Sequence, residues 1–148
     1  MSSGTQLSGP SEVRGIVLTH GTMCHGMVDA VLKITGAEQG VLTAVSNEGS
    51  APDELVGLIR QIAGSQPTII FTDLQTGSCA LAARCACRSP SETRVVFGAN
   101  LPMLLDFVFH RDLPLDDLKE RLIDRGRHAI DSLEPETVER GDRPVSRG

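Results

Sequence analysis

Four short apolar runs do most to limit what this chain can fold into: residues 14–19 (RGIVLT), 41–45 (VLTAV), 68–72 (TIIFT) and 94–97 (RVVF). None keeps the strict in–out alternation of a strand with one wet face. Runs of this kind are buried on both sides, which is the condition of strands in a parallel sheet covered by helices. The stretches between them have helical spacing. Met23, Met27, Val28, Val31, Leu32 and Ile34 recur until Gly36, and Leu55, Leu58, Ile59 and Ile62 follow the helix start Ser50, Pro52, Asp53, Glu54 and stop at Gly64. Cys79 to Cys87 is an Ala/Cys-rich helix with small side chains, Asn100 with Pro102 opens another, and a last one is expected from Leu115 to Leu133. Leu118, Leu122, Ile123, Ala129 and Ile130 form the apolar side of that last helix. Strand and helix alternating four times predict a single α/β domain, mainly parallel, with helices on both faces of the sheet.

The length of 148 residues fits one domain with a real core. Residues 1–12 are Ser/Gly-rich and expected to be a flexible leader; the domain is expected over 13–133, and 134–148 form a polar tail. A net charge of −5 argues against a nucleic-acid or anionic-membrane binder, which would carry a basic face. With no Trp or Tyr and four Phe, stacking platforms for sugars or single strands lose weight. No stretch approaches the ~18–20 apolar residues of a membrane span. The four cysteines, in a chain that is neither small nor loop-rich, read as reduced thiols of a cytoplasmic protein.

Ligands of open α/β sheets bind beyond the carboxyl ends of the strands, where the strand order reverses. Three runs end in polar residues: His20 after the first, Asp73 after the third and Asn100 after the fourth. In a sheet of order 2-1-3-4 the first and third strands are neighbours, ~4.8 Å apart. His20 and Asp73 then come within hydrogen-bond reach. A carboxylate that holds one ring N–H fixes the tautomer, frees the other nitrogen to attack, and stabilises the cationic ring that results. Thr76, Gly77 and Ser78 lead into a helix whose N-terminus favours a bound phosphoryl group. Each residue also has a plainer reading, since a strand-end His can be merely polar and an Asp before a helix is usually a cap. Their placement at one sheet edge is what points to phosphoryl transfer through a phosphohistidine.

The same segments resemble the mannose-family IIA component of the bacterial sugar phosphotransferase system (PTS). "IVLTHG" (16–21) matches its strand ending in Thr-His-Gly, and "IIFTDLQTGSC" (69–79) its Thr-Asp-Leu strand and Gly-Gly-Ser-Pro turn. "GANLPMLLD" (98–106) matches its Gly-x-Asn-Leu-Pro-Met-Leu signature, and "RGRHAI" (125–130) its final helix. The resemblance implies a sheet of order 2-1-3-4 and a homodimer with an exchanged, antiparallel C-terminal strand. It implies that His20 takes a phosphoryl group from phospho-HPr and passes it to a IIB component, with Asp73 orienting the ring. It also implies no cofactor and no direct membrane insertion. With no IIB domain following in the sequence, a free-standing IIA unit is expected.

Thr76 and Cys79 stand where the family motif has Gly and Pro, and a Cβ at 76 narrows the backbone geometries open to the turn. The polar tail matches an exchanged strand poorly. The altered turn and the lack of a IIB domain in the sequence motivate an alternative: a regulatory module whose phosphorylation state signals to a partner without sugar transport. His25 lies one turn beyond His20 and is expected at the rim, while His110 and His128 carry no motif. Cys24 beside His25, together with Cys79, would be the residues of a cysteine- or metal-dependent enzyme. Yet the Cys85-Ala86-Cys87 spacing is not that of zinc ligands, and no metal site is expected.

Overall fold

The structure, a computed structural model, describes residues 12–88 and 92–135. The chain runs β1 (Arg14–Thr19), α1 (Met23–Thr35), β2 (Leu42–Ser46), α2 (Pro52–Ala63), β3 (Thr68–Thr72), α3 (Ser78–Ala86), β4 (Thr93–Val96), α4 (Leu101–Phe109) and α5 (Leu115–His128). The four strands form one sheet in the order β2-β1-β3-β4, with every pair parallel. This is the expected 2-1-3-4 order, and each strand lies within one residue of the run that predicted it. Residues 1–11 of the expected leader and 136–148 of the expected tail, where an exchanged strand would fall, lie outside the described residues.

Successive side chains of the central strands enter opposite layers. Val17, Ile69 and Phe71 pack with Val31 of α1, Leu104 and Phe107 of α4, and Leu118 and Leu122 of α5. Ile16, Leu18 and Ile70 pack with Leu55 and Ile59 of α2 and with Ala82 and Ala83 of α3. The small residues of α3 fill this second layer, as their size suggested. The α1 stripe is shifted from the expected one: Cys24 is fully buried, whereas Met23 and Ile34 stand exposed at either end. Leu58 of α2 is likewise largely exposed.

Helix boundaries follow local chemistry. Gly36 ends α1 in a left-handed conformation, its N–H donating to the Leu32 carbonyl. Pro52 sits in the first turn of α2, where Glu54 Oε1 accepts the Ala51 N–H at 2.7 Å. The last helix stops at His128, five residues before the expected Leu133. Ile130 and Leu133 are exposed, so the apolar periodicity there has no core to face. An apolar residue that meets no second layer gains nothing from continuing the helix.

Asn100 joins α4 to α5. Its Oδ1 accepts the Met103 N–H at 3.1 Å, capping α4, and its Nδ2 donates to the Gly126 carbonyl of α5 at 3.0 Å. Asn100→Ala is expected to cost about 2 kcal/mol, the cap and the tether together. Asn100→Ser, which can keep the cap alone, should lose about half of that in urea denaturation.

Candidate active site

The order of strands reverses between β1 and β3: β2 lies on one side of β1, and β3 on the other. At that switch point the register pairs Leu18 with Thr72, so the next residues of both strands emerge side by side. Thr19 is fully buried, and its Oγ1 accepts the Cys24 N–H at 2.7 Å, holding the start of α1 against the end of β1. His20 is therefore fixed between a strand and a helix. Gly21 turns the chain with φ of 61°, a conformation that suits glycine.

His20 meets Asp73 twice. Its backbone N–H donates to Asp73 Oδ2 at 2.9 Å, and its ring Nδ1 lies 2.9 Å from the same oxygen. The other oxygen, Oδ1, accepts the Leu74 N–H at 3.0 Å. The Asp73 side chain is 10% exposed and that of His20 is 41% exposed, so the carboxylate is sheltered while the ring can be reached by a partner. Burial alone would push the Asp73 carboxyl up. The bonds from His20, with the interaction between their charges, outweigh it and hold the group below its ordinary value. An ionised carboxylate only accepts hydrogen bonds, so Nδ1 is a donor to it, and in the neutral form of the ring the lone pair is left on Nε2.

Nε2 faces the head of α3. A Cβ added to Gly77 would lie 3.4 Å from it. Gly77, at φ 97° and ψ −174°, is in a region that essentially only glycine enters. The ring thus stands against bare backbone at a helix N-terminus, whose N–H groups and dipole suit an anion. Thr76 does not occupy the left-handed region, so its Cβ brings no backbone strain to the turn. Thr76 and Gly77 are exposed, and Ser78 is half-buried at the first position of α3. With Gln75, Ala80, Leu81 and Arg84, Thr76 and Gly77 line a cleft of about 430 Å³.

Sequence reasoning passed over the end of β2. Ser46 Oγ donates to the Gly21 carbonyl at 2.7 Å, and Asn47 Oδ1 accepts the Gly21 N–H at 3.2 Å. Asn47 Nδ2 donates to Ser78 Oγ at 3.2 Å, tying the histidine loop to the start of α3. The signal was present: the second apolar run also ends in polar residues at the sheet's carboxyl edge. Asn100 serves α4 and α5 as described. His25 is exposed on α1, and His110 and His128 bond carbonyls four residues back, of Asp106 and Asp124. Cys79 Sγ, by contrast, lies within 4.8 Å of ligand atoms of both His20 and Asp73. Burial, with the Asp73 charge adding to it, pushes this thiol up to about 11.

A family model described as the PTS system fructose IIA component matches residues 15–122. No curated protein sequence matches the chain. Among solved structures, it is similar to the phosphotransferase system component EIIA from Streptococcus agalactiae, with a TM-score of 0.74 and 19% identity over 81% of this chain and 96% of that one. It is also similar to the mannose/sorbose-specific IIA subunit from Enterococcus faecalis, with a TM-score of 0.72 and 23% identity over 86% and 96%. A third likeness is to the PTS IIA protein associated with the fucose utilization operon of Streptococcus pneumoniae, with a TM-score of 0.72 and 16% identity over 87% and 98%. At these identities the likenesses concern the fold.

Proposed function

Starting from the fact that the chain belongs to the fructose/mannose IIA family of the sugar phosphotransferase system, we propose that it carries phosphoryl groups on His20. Nε2 takes the group from phospho-HPr and passes it to a IIB component. The observation that carries this reading is the Nδ1–Asp73 bond, which leaves the Nε2 lone pair turned toward the head of α3. In the first transfer, the N–P bond of the donor breaks as Nε2 bonds to phosphorus. The His20 ring becomes cationic and keeps its Nδ1–H on the Asp73 carboxylate, which stabilises that charge. Gly77 gives the phosphoryl oxygens access to backbone N–H groups, and Thr76 and Ser78 bring hydroxyls to the same turn. In the second transfer, the same bond breaks toward the acceptor's histidine. Such a carrier works in the cytoplasm, where HPr and IIB act, and as a homodimer in keeping with the family. Among the described residues no helix is long and apolar enough to cross a membrane.

The test is incubation with phosphoenolpyruvate, enzyme I and HPr. The expected product is one acid-labile, base-stable phosphate per chain, absent from His20→Ala. Label that persists in His20→Ala overturns the assignment. Adding a IIB component should then drain the label. Label retained in the presence of a competent IIB would favour the regulatory module over the transport carrier.

A further inference from the structure

Cys79 departs from the family motif at the heart of the site, and the structure gives it company. His20, Asp73 and Cys79 bring a nitrogen, an oxygen and a sulfur within 4.8 Å of one another. Tetrahedral Zn²⁺, with bonds of about 2.0–2.3 Å, spaces its ligand atoms about 3.5 Å apart, so the widest separation here has only about 1 Å to close. Imidazole, carboxylate and thiolate are the donors this ion takes, and three of them leave a fourth position for water. Charge also balances. One carboxylate and one thiolate neutralise a divalent cation at a place where Cys79 is fully buried and the Asp73 side chain is 10% exposed. Cys85 and Cys87 lie beyond this set, six and eight residues further along and at the far end of α3.

We propose that His20, Asp73 and Cys79 form a Zn²⁺ site whose occupation excludes the phosphoryl group from His20. Binding displaces the thiol proton to solvent. A neutral imidazole has one N–H and one lone pair. If the metal takes Nδ1, the proton sits on Nε2; if it takes Nε2, that lone pair is used. In both cases the nucleophile is gone. The metal site stands on its own geometry, while the exclusion rests on the phosphohistidine reading. A proline at 79 supplies no ligand, so the control belongs to this chain's own cysteine.

Cobalt(II), which reports thiolate ligation by a near-ultraviolet charge-transfer band, is titrated into the full chain. One equivalent should give the band, and Zn²⁺ should abolish it by displacement. Cys79→Ser should lose the band, while the Cys85→Ser/Cys87→Ser double variant should keep it. His20→Ala, which removes a direct ligand at a half-exposed ring, should bind at least about tenfold more weakly, since even outer-shell partners are worth about 10–100-fold; unchanged affinity would overturn the site, which keeps the test decisive if the buried cysteine variant misfolds. In a second arm, Zn²⁺ should block label transfer from phospho-HPr and a chelator should restore it. The zinc concentration that halves transfer should rise at least tenfold in Cys79→Ser. No band, or one unchanged in Cys79→Ser, overturns the site. Label transfer indifferent to Zn²⁺ in a protein that shows the band overturns the exclusion. A band in a protein that never takes label upholds the metal site and overturns the phosphohistidine reading instead.

Discussion

Asp73→Asn is expected to slow phosphoryl acceptance from phospho-HPr by about a thousandfold, a smaller loss than the ~10⁴-fold drop a triad histidine shows when its orienting carboxylate becomes an amide. The side chain keeps its shape, so the fold should survive, as circular dichroism will check. What changes is the donor–acceptor pattern. Oδ2 accepts both the backbone N–H and the ring Nδ1 of His20, and Oδ1 accepts the Leu74 N–H. An amide has one oxygen for these two places. With its oxygen toward His20, its NH₂ confronts the Leu74 N–H, and the ring loses the negative charge that would stabilise its cationic state. With its oxygen toward Leu74, its NH₂ faces His20, donates to Nδ1, and moves the ring proton to Nε2, where it blocks attack. Either arrangement removes stabilisation that matters as the N–P bond forms. Single-turnover transfer from purified phospho-HPr measures the effect directly. An unchanged rate would mean that Asp73 has no part in orienting His20.

The pairing behind that prediction was legible in the sequence because it depends on very little. Two buried strands, each stopping on a chemically capable residue, need only to be neighbours for His20 and Asp73 to meet. The non-alternating apolar runs already implied the parallel sheet, and the strand order completed the geometry. Gly77 was legible as part of a turn, but not as the residue that meets the ring, since that contact depends on how the turn enters α3. Asn47 was missed for a different reason. Its place at the polar end of the second run could have drawn attention to the edge, but its two hydrogen bonds, to Gly21 and Ser78, join residues distant in sequence, and no periodicity or spacing names those partners. Cys79 was set among four cysteines by spacing, whereas its significance comes from depth: it lies beneath the His20–Asp73 pair. The overlong reading of α5 shows the opposite failure, a local pattern that continues past the point where a second layer exists to receive it.

Phe107 and Gly15 supply a case where packing was illegible from either residue alone. Phe107 of α4 is fully buried and meets Phe71 of β3 edge-on, with ring centroids 5.3 Å apart. Gly15 sits in the central strand, paired with Leu42 and Ile69, where a glycine is ordinarily a weakness. A Cβ there would lie 2.8 and 2.9 Å from two carbons of the Phe107 ring and 2.5 Å from Leu42 Cδ2. The glycine thus makes room for the ring to lie on the sheet. Phe107→Ala should cost about 3–5 kcal/mol, through lost burial and the cavity left behind, which is a large share of the 5–15 kcal/mol that holds a typical domain together. Gly15→Ala alone should cost about 1–3 kcal/mol by overpacking. The two are in contact and should not add. Once the ring is gone, the two Phe107 contacts vanish, and the buried Leu42 Cδ2, the closest contact at 2.5 Å, can turn into the space the ring left. In the Phe107→Ala background, therefore, Gly15→Ala should cost at least about 0.5 kcal/mol less than it does alone. Urea denaturation of the four members of this cycle, at unchanged m-value, measures the coupling. Strictly additive losses would show that Gly15 is required for some reason other than the ring.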